Sequence, residues 1–462
     1  MGARRRPRQS GVMDERDVPW ADLPRLDGDL LRSEYARALA ADDFGHLVSR
    51  RPLAVLRPGS VADVAAVVRW AGDHGLQVAA RGQGHSVYGR AQVADGIVVD
   101  TRPFDAVRLR DDGNIEVGAG ATWRDVAATA LRAGLTPAVL LNYLDLSIGG
   151  TVSVGGVGGT SHRHGLVTDT VTELDVVTGE GKVLTCSRDE NAELFDHVRA
   201  GLGQFGIITR AVLSLIPAPA RVRRFTLRYA GLAELAADQE LLLRTGRADH
   251  LQGAAVRADG GWHYQLELAA FHAPGREPDD ADVLADLAEL RPDAQVEDVS
   301  YREHLEAFDR FTALLRSTGE WSGPHPWLLT FLPGSAAVQT ARGILDDLTA
   351  DDLGDHGRVL FYPLSTDAIA TPLARLPDEP VVYSFNLVRF ASRPDAGRAA
   401  AMVRQNHEVY GRVRAAGGTL YPVSALDVPL EEHLGERWAD WRRWKERADP
   451  LGVLTPGYRP PA

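Results

Sequence analysis

Arg81-Gly-Gln-Gly-His-Ser-Val-Tyr-Gly-Arg-Ala-Gln92 is the stretch on which the fold turns. It follows an apolar run, Leu76-Gln-Val-Ala-Ala80, that reads as a strand, and it precedes a second one, Gly96-Ile-Val-Val-Asp100. A loop so placed, with glycines at 82 and 84, exposes consecutive backbone N–H groups, and such a nest holds pyrophosphate oxygens without needing a lysine. Ser86 adds a hydroxyl donor. Taken alone, the loop also reads as a glycine turn carrying a surface histidine.

Working outward, Ser60 and Asp63 form a capping-box pattern ahead of Val61, Val64, Ala65, Val68 and Ala71, predicting a helix that Gly75 ends. Val107-Arg-Leu and Ile115-Glu-Val read as strands before a second box, Thr122 with Asp125, whose helix runs to Ala133. Val171–Val177 and Gly181–Cys186, joined at Thr178-Gly-Glu-Gly, predict a hairpin. Gly201-x-Gly203-x-x-Gly206 has the spacing of a dinucleotide fingerprint, but it follows a helical pattern, Ala192–Ala200, and opens an apolar strand. That order is the reverse of what the fingerprint requires, so we read a tight turn.

Pro217-Ala-Pro-Ala interrupts both ladder and helix and marks a boundary. Beyond it Val222–Tyr229, Trp262–Phe271, Trp327–Leu332 and Val359–Tyr362 alternate as the strands of one antiparallel sheet, with acidic helices such as Asp280–Leu290 covering a face. Trp438, Trp441 and Trp444, three apart, predict a buried helix face. Residues 1 to about 25, charged and without apolar periodicity, receive no structure.

The chain has 462 residues, too many for one core, so two domains are the default. Lys+Arg 51 against Asp+Glu 63 gives a net charge of −12, which argues against general attraction to nucleic acid or anionic membrane. Cys186 is the only cysteine, so an intrachain disulfide framework and multi-thiolate metal sites are excluded. Asp14, Glu15, Arg16 and Asp17 break the stretch where an export signal would need apolar residues, and the expected compartment is the cytoplasm. No histidine has metal-ligand spacing supported by carboxylates, so no metal is expected.

The loop at 81–92 closely resembles the flavin-binding loop of the cytokinin dehydrogenases, members of the vanillyl-alcohol-oxidase-like flavoproteins. The resemblance continues through Tyr143-Leu-Asp-Leu-Ser-Ile-Gly-Gly-Thr-Val-Ser, Arg163-His-Gly, Glu173-Leu-Asp-Val-Val-Thr-Gly and Gly201-Leu-Gly-Gln-Phe-Gly-Ile-Ile. It reaches Trp321-Ser-Gly-Pro-His-Pro-Trp-Leu and Asp449-Pro-Leu-Gly-Val-Leu-Thr-Pro-Gly, about residues 45 to 460 in all. It implies an α+β fold: a two-subdomain PCMH-type FAD-binding domain and an antiparallel-sheet substrate domain covered by helices. The expected divisions are an arm and lead-in at 1–44, the FAD domain at 45–217, the substrate domain at 218–417 and a return to the FAD domain at 418–462.

By the same resemblance, His85 carries a covalent bond to FAD, and Arg81, Gly82, Gln83, Gly84, His85 and Ser86 wrap its pyrophosphate, with Arg90 and Ala91 closing the loop. Ser147, Gly149, Gly150, Ser153 and Ile207 or Ile208 line the isoalloxazine and ribityl chain, and Tyr421 and Tyr458 return from the C-terminal segment. Tyr458 stands where the plant enzymes usually have glutamine. Where some relatives form a second covalent bond through cysteine, this chain has Tyr143, so one bond is expected.

The departures concern substrate. The aspartate that assists proton removal in the cytokinin enzymes is replaced by Asn142, and a second family acid falls at Gln252. An amide is no base. Asp145 or Asp249 could compensate; His162, His164, His325 and Tyr143 remain as other candidate acids or bases. The implied activity is an FAD-dependent oxidase or dehydrogenase that removes a hydride from a C–H next to N or O of a small molecule and passes it to flavin N5, with oxygen or another acceptor reoxidising the flavin. Cytokinin dehydrogenase proper is the named alternative, and a redox-neutral cyclisation the alternative from another class.

Overall fold

The computed structural model describes residues 18–258, 260–287, 294–391, 396–455 and 457–458. Strand Ala54–Arg57, helix Val61–Asp73, and strands Val78–Arg81 and Ile97–Asp100 form a parallel unit in which both outer strands pair with Ile97–Asp100. The helix packs Val64, Val67, Val68 and Ala71 onto Leu56, Val78, Ile97 and Val99, so the 3.6-residue period read from the sequence is the buried face. Ser60 Oγ accepts the Asp63 N–H, but the box is not reciprocal. The Asp63 carboxylate instead accepts from Asp27, Gly28 and Gly59 N–H at 2.8–2.9 Å, tying down the lead-in.

That lead-in is more structured than its composition suggests. Val18 is 5% exposed, Trp20 stacks on Trp70 at 5.3 Å, Asp29–Leu31 adds an antiparallel edge strand, and Glu34–Ala40 is a short helix. Two apolar anchors override a polar segment, which corrects the expectation for residues 18–25; residues 1–17 lie outside the described part.

The second sheet is antiparallel, in the order Val107–Leu109, Ile115–Gly118, Ile207–Leu213, Val171–Val177 and Val183–Ser187. The expected hairpin forms with Val177 opposite Val183 and Leu174 opposite Cys186. The Thr122–Asp125 box closes in both directions and starts helix Trp123–Leu131, a cap worth about 1 kcal/mol. Trp123 is fully buried, its indole N–H donating to Thr151 Oγ1 at 3.0 Å. Gly201–Gly206 joins helix Ala192–Val198 to strand Ile207–Leu213, the turn expected of it.

The third sheet has eight antiparallel strands, ordered Gln295–Ser300, Arg221–Tyr229, Gly261–His272, His250–Ala258, Arg358–Ser365, Val381–Val388, Leu328–Pro333 and Thr419–Leu420. Helices Leu232–Thr245, Gly334–Asp347 and Ala396–Ala415 cover one face, packing Leu235, Leu242, Ile344 and Val413 onto Leu251, Leu268, Phe361 and Phe385. The acidic segment expected as a helix over 280–290 is helical only at Asp280–Val283. Val283, Leu284 and Leu287 are buried in the core on the helix-covered face of the sheet, so the segment covers it as expected with a shorter helix, while Asp280 pairs with Arg223; residues 288–290 lie outside the described part.

The C-terminal segment returns to the first sheet. Val78 N–H donates to Val453 O at 2.7 Å and Thr455 N–H to Val78 O at 2.8 Å, beside the glycine-rich loop. Helix Trp438–Ala448 buries Trp441 to 1% exposure, with Trp438 and Trp444 packed partly against the same core.

Candidate active site

Strand Val78–Arg81 delivers residues 82–86 into the wall of a cavity of about 680 Å³ lined by all three sheets. Gly84 takes φ +70°, and a Cβ there would run into the Arg81 guanidinium. The carbonyls of Gly84 and Ser86 turn away to accept Phe44 N–H at 2.9 Å and Gly45 N–H at 3.2 Å. The N–H groups of residues 82 to 86 consequently have no acceptor among the described residues. Consecutive donors left over in a cavity wall are an anion cradle. Beside it Gly82 lies so close to Ser147 that a Cβ would displace the serine hydroxyl.

Several side chains named from the sequence hold the cradle and do not face into it. Ser86 Oγ donates to Asp43 Oδ2 at 3.2 Å, where the sequence reading had it donating to a ligand. Arg81 Nη1 donates to Asp42 O at 2.6 Å. Arg90 donates to Leu426 O at 2.6 Å and Gly457 O at 3.0 Å, with its guanidinium 4.6 Å over the Tyr458 ring, so it fastens the returning segment. Ser153 Oγ donates to Gly149 O at 2.7 Å. Tyr421 OH accepts Gly156 N–H at 3.0 Å, and Tyr458 OH donates to Pro422 O at 3.1 Å. Even so, every residue named from the sequence as cofactor-binding or catalytic lines the cavity.

His85 stands in a column of rings. It stacks on Phe44 at 3.9 Å and Tyr143 at 4.8 Å, and Phe44 stacks on His325 at 3.8 Å. Protein surrounds the imidazole on every side but the cavity, and this burial pulls its pKa down to about 3, with Asp145 opposing weakly. It is neutral at ordinary pH, with an unprotonated ring nitrogen, and neither nitrogen has a hydrogen-bond partner among the described residues. Burial likewise pushes the Tyr143 phenol above its usual value.

Above this floor the third sheet presents its other face. Gln252 and Ala254, Leu360 and Tyr362, Ser384 and Asn386 alternate into the cavity while their neighbours Leu251, Phe361 and Phe385 pack under the helices. Asn142 Nδ2 donates to Gln252 Oε1 at 3.0 Å, so the two positions where the sequence lacks an acid meet across the cavity. Asp145 does not compensate; it pairs with Arg124, which also holds Asp309. Asp249 pairs with Arg163 and accepts Phe271 N–H at 2.6 Å. His162 is buried between the carbonyls of Gly159 and Ala248, and His325 Nδ1 meets Phe44 O at 2.6 Å. Of the candidate acids and bases from the sequence, Tyr143 alone reaches the cavity.

Sequence reasoning missed Asp43 and Phe44. Asp43 Oδ2 accepts Gly89 N–H at 2.7 Å besides Ser86, and Oδ1 accepts Gly45 N–H at 3.1 Å. Burial raises its carboxyl to about 6, with the Gly89 bond and the Arg81 charge opposing. It also missed the aromatic wall of Phe308, Phe311 and Trp321.

Residues 52–187 match the family model of an FAD binding domain, and residues 249–459 match the model described as cytokinin dehydrogenase 1, FAD and cytokinin binding. Cytokinin dehydrogenase 9 of Oryza sativa subsp. japonica is 33% identical over 488 residues, covering 96% of this chain and 93% of that protein. This chain belongs to the cytokinin dehydrogenase-like FAD oxidoreductases. An uncharacterized oxidoreductase, ORF5 of the fasciation locus of Rhodococcoides fascians, is 39% identical over 427 residues, 91% of this chain and 96% of that one. Among solved structures, xylooligosaccharide oxidase from Myceliophthora thermophila C1 superposes with a TM-score of 0.75 at 20% identity, covering 97% of this chain and 99% of that one, which shows the shared fold.

The family's cofactor, FAD, fits the residues present. The unsatisfied N–H groups of 82–86 suit a pyrophosphate, the glycine at 82 leaves the Ser147 hydroxyl its place in the cavity wall, and the neutral His85 ring faces the same cavity. Among the described residues no cluster of His, Cys, Asp and Glu could hold a metal, and no helix is long and apolar enough to cross a membrane.

Proposed function

We propose that this FAD-dependent oxidoreductase oxidises a C–H bond next to nitrogen or oxygen in a small organic molecule, with its flavin bound covalently through His85. The observation that carries the reading is the arrangement itself: an anion cradle at 82–86, a neutral histidine beside it, and a sheet face with polar and apolar positions above. FAD held by the 82–86 cradle would supply N5 as the acceptor of the C–H hydrogen with its electron pair, the heteroatom's proton would pass to solvent as the C=N or C=O forms, and oxygen or another acceptor would take the electrons onward. The protein's share is placement. Asn142 and Gln252 orient the substrate's heteroatom by hydrogen bonds, and Tyr143 and Trp321 wall the reacting end.

The amide pair favours a substrate whose heteroatom proton leaves without a carboxylate base, so a molecule other than cytokinin is the preferred substrate. The second reading, a cytokinin dehydrogenase proper, rests on identity over nearly the whole length with enzymes of that name. Under either reading, residues 45–217 and 418–462 serve the flavin and 218–417 cover it.

The test starts with acid precipitation of the purified protein: yellow colour that stays with the washed pellet supports covalent attachment, and colour in the supernatant removes it. Anaerobic bleaching of the flavin by candidate amines and alcohols then identifies the substrate. Product formed while the flavin stays oxidised throughout turnover would sink the oxidoreductase reading for that reaction in favour of a redox-neutral cyclisation.

A further inference from the structure

The strand Arg358–Ser365 places one cation on the cavity face of the third sheet. Arg358 alternates with Leu360 and Tyr362 into the cavity and lies opposite Val388 of the next strand. Its guanidinium has no hydrogen bond and no ion pair with any described residue, and Nε is fully shielded from solvent. Phe311 lies 4.0 Å from the guanidinium carbon, an attraction through the ring's quadrupole that offers no lone pair to the N–H donors. The nearest acid, Glu267, acts on Arg358 only through space, and burial draws the arginine's pKa below its usual value.

The other arginines that line the cavity are spent. Arg81 bonds Asp42 O, Arg90 bonds Leu426 and Gly457, and Arg224 pairs with Glu297. A guanidinium on a cavity wall with its donors unpaired among the described residues is suited to an acceptor, and a carboxylate is the group whose two oxygens match the planar fork. Between Arg358 and the reacting end runs an apolar wall: Phe311 touches Phe308 at 5.5 Å between ring centres, and Phe308 touches Tyr143 at 6.4 Å.

We propose that Arg358 is the specificity residue of the site and that the substrate is a carboxylate-bearing molecule, its acid on Arg358, its flat or apolar body along Phe311 and Phe308, and its oxidised C–H at the Asn142–Gln252 end. This rests on the oxidoreductase reading for the reacting end and on Arg358 alone for the acid. No redox step is added to the one above.

The test uses the flavin-loaded enzyme and two probes of one shape, 3-phenylpropanoate and 3-phenylpropanamide, titrated against flavin absorbance and the fluorescence of the cavity tryptophans. The acid is expected to bind at least about tenfold tighter than the amide. Arg358→Gln should erase that ratio, and Arg358→Lys should keep part of it, since a point cation replaces the fork. Equal binding of the two probes, no binding of the acid at millimolar concentration, or an acid preference that survives in Arg358→Gln overturns the proposal. An unchanged visible spectrum and melting temperature in both variants show that the fold is intact. Flavin content, read separately, tests the flavoenzyme reading, so failure of one does not imitate failure of the other.

Discussion

Asp43→Asn should stabilise the protein at neutral pH and leave it unchanged near pH 4.5. Asp43 is 3% exposed, and its carboxyl is raised from 3.8 to about 6 by burial, against the pull of the Gly89 hydrogen bond and the Arg81 charge. Below pH 3.8 it is protonated in folded and unfolded chain alike. Between 3.8 and 6 the folded protein keeps a proton that the unfolded chain has released, so stability from this group falls as pH rises and levels off above about pH 7. A shift of about 2 units is worth about 3 kcal/mol at pH 7.5 and about 1 kcal/mol at pH 4.5.

The introduced amide keeps an oxygen for Gly89 N–H and Ser86 Oγ but turns its NH2 toward Gly45 N–H, a loss of about 1 kcal/mol at every pH. The net gain is therefore about 2 kcal/mol at pH 7.5 and near zero at pH 4.5. For a folding unit of about 200 residues this is a rise in melting temperature of about 4–8 °C at pH 7.5. Thermal unfolding of both proteins across pH 4.5–8, with flavin content matched, measures it. A difference that does not change with pH, or a variant less stable throughout, would refute the reasoning that burial dominates the Asp43 carboxyl.

Three further outcomes bear on the site. His85→Ala should leave no colour in the acid-precipitated pellet; covalent flavin persisting in that variant removes the assignment. Asn142→Asp should raise kcat/KM for an N-alkyladenine cytokinin by about a hundredfold, the low end for a general base, because an open carboxylate works with a pKa well below neutral; steady-state kinetics from pH 5 to 9 with no gain anywhere would mean that the missing acid does not limit cytokinin oxidation. Gly82→Val should collapse flavin content, since its side chain overlaps the Ser147 hydroxyl and forces Ser147 out of its place in the cavity wall; full flavin loading would show that the loop is not the cradle.

Local chemistry made much of this fold legible. Thr122 and Asp125 write their own cap, Val171–Cys186 writes its own hairpin, and the alternation of Gly261–His272 separates a packed face from a cavity face. Residues 81–86 offer adjacent backbone N–H groups in sequence, but a plain glycine turn would offer the same, and only the longer resemblance chooses between the two. Asp43 and Phe44 announce nothing. Each acts on the 85–89 loop some forty residues away, and no periodicity links a carboxylate to the N–H groups it will accept. Arg90 shows the same limit: it sits in the loop that the sequence singles out, but its partners Leu426 and Gly457 lie more than three hundred residues ahead in the chain. The segment from Asp280 buries Val283, Leu284 and Leu287 as its apolar spacing suggests, but its helix stops at Val283, a boundary that charge composition does not mark.

The strand-like contact of Val453–Thr455 with Val78, with Arg90 clasping Leu426 and Gly457, has a consequence for biosynthesis. The cradle's loop is made early and its last wall is made late. A nascent chain can fold its first sheet while still being translated, but it presents a finished flavin site only after residues 453–458 have emerged. Cofactor capture thus waits on residues 453–455, whose Val453 and Leu454 also complete the core of the first sheet.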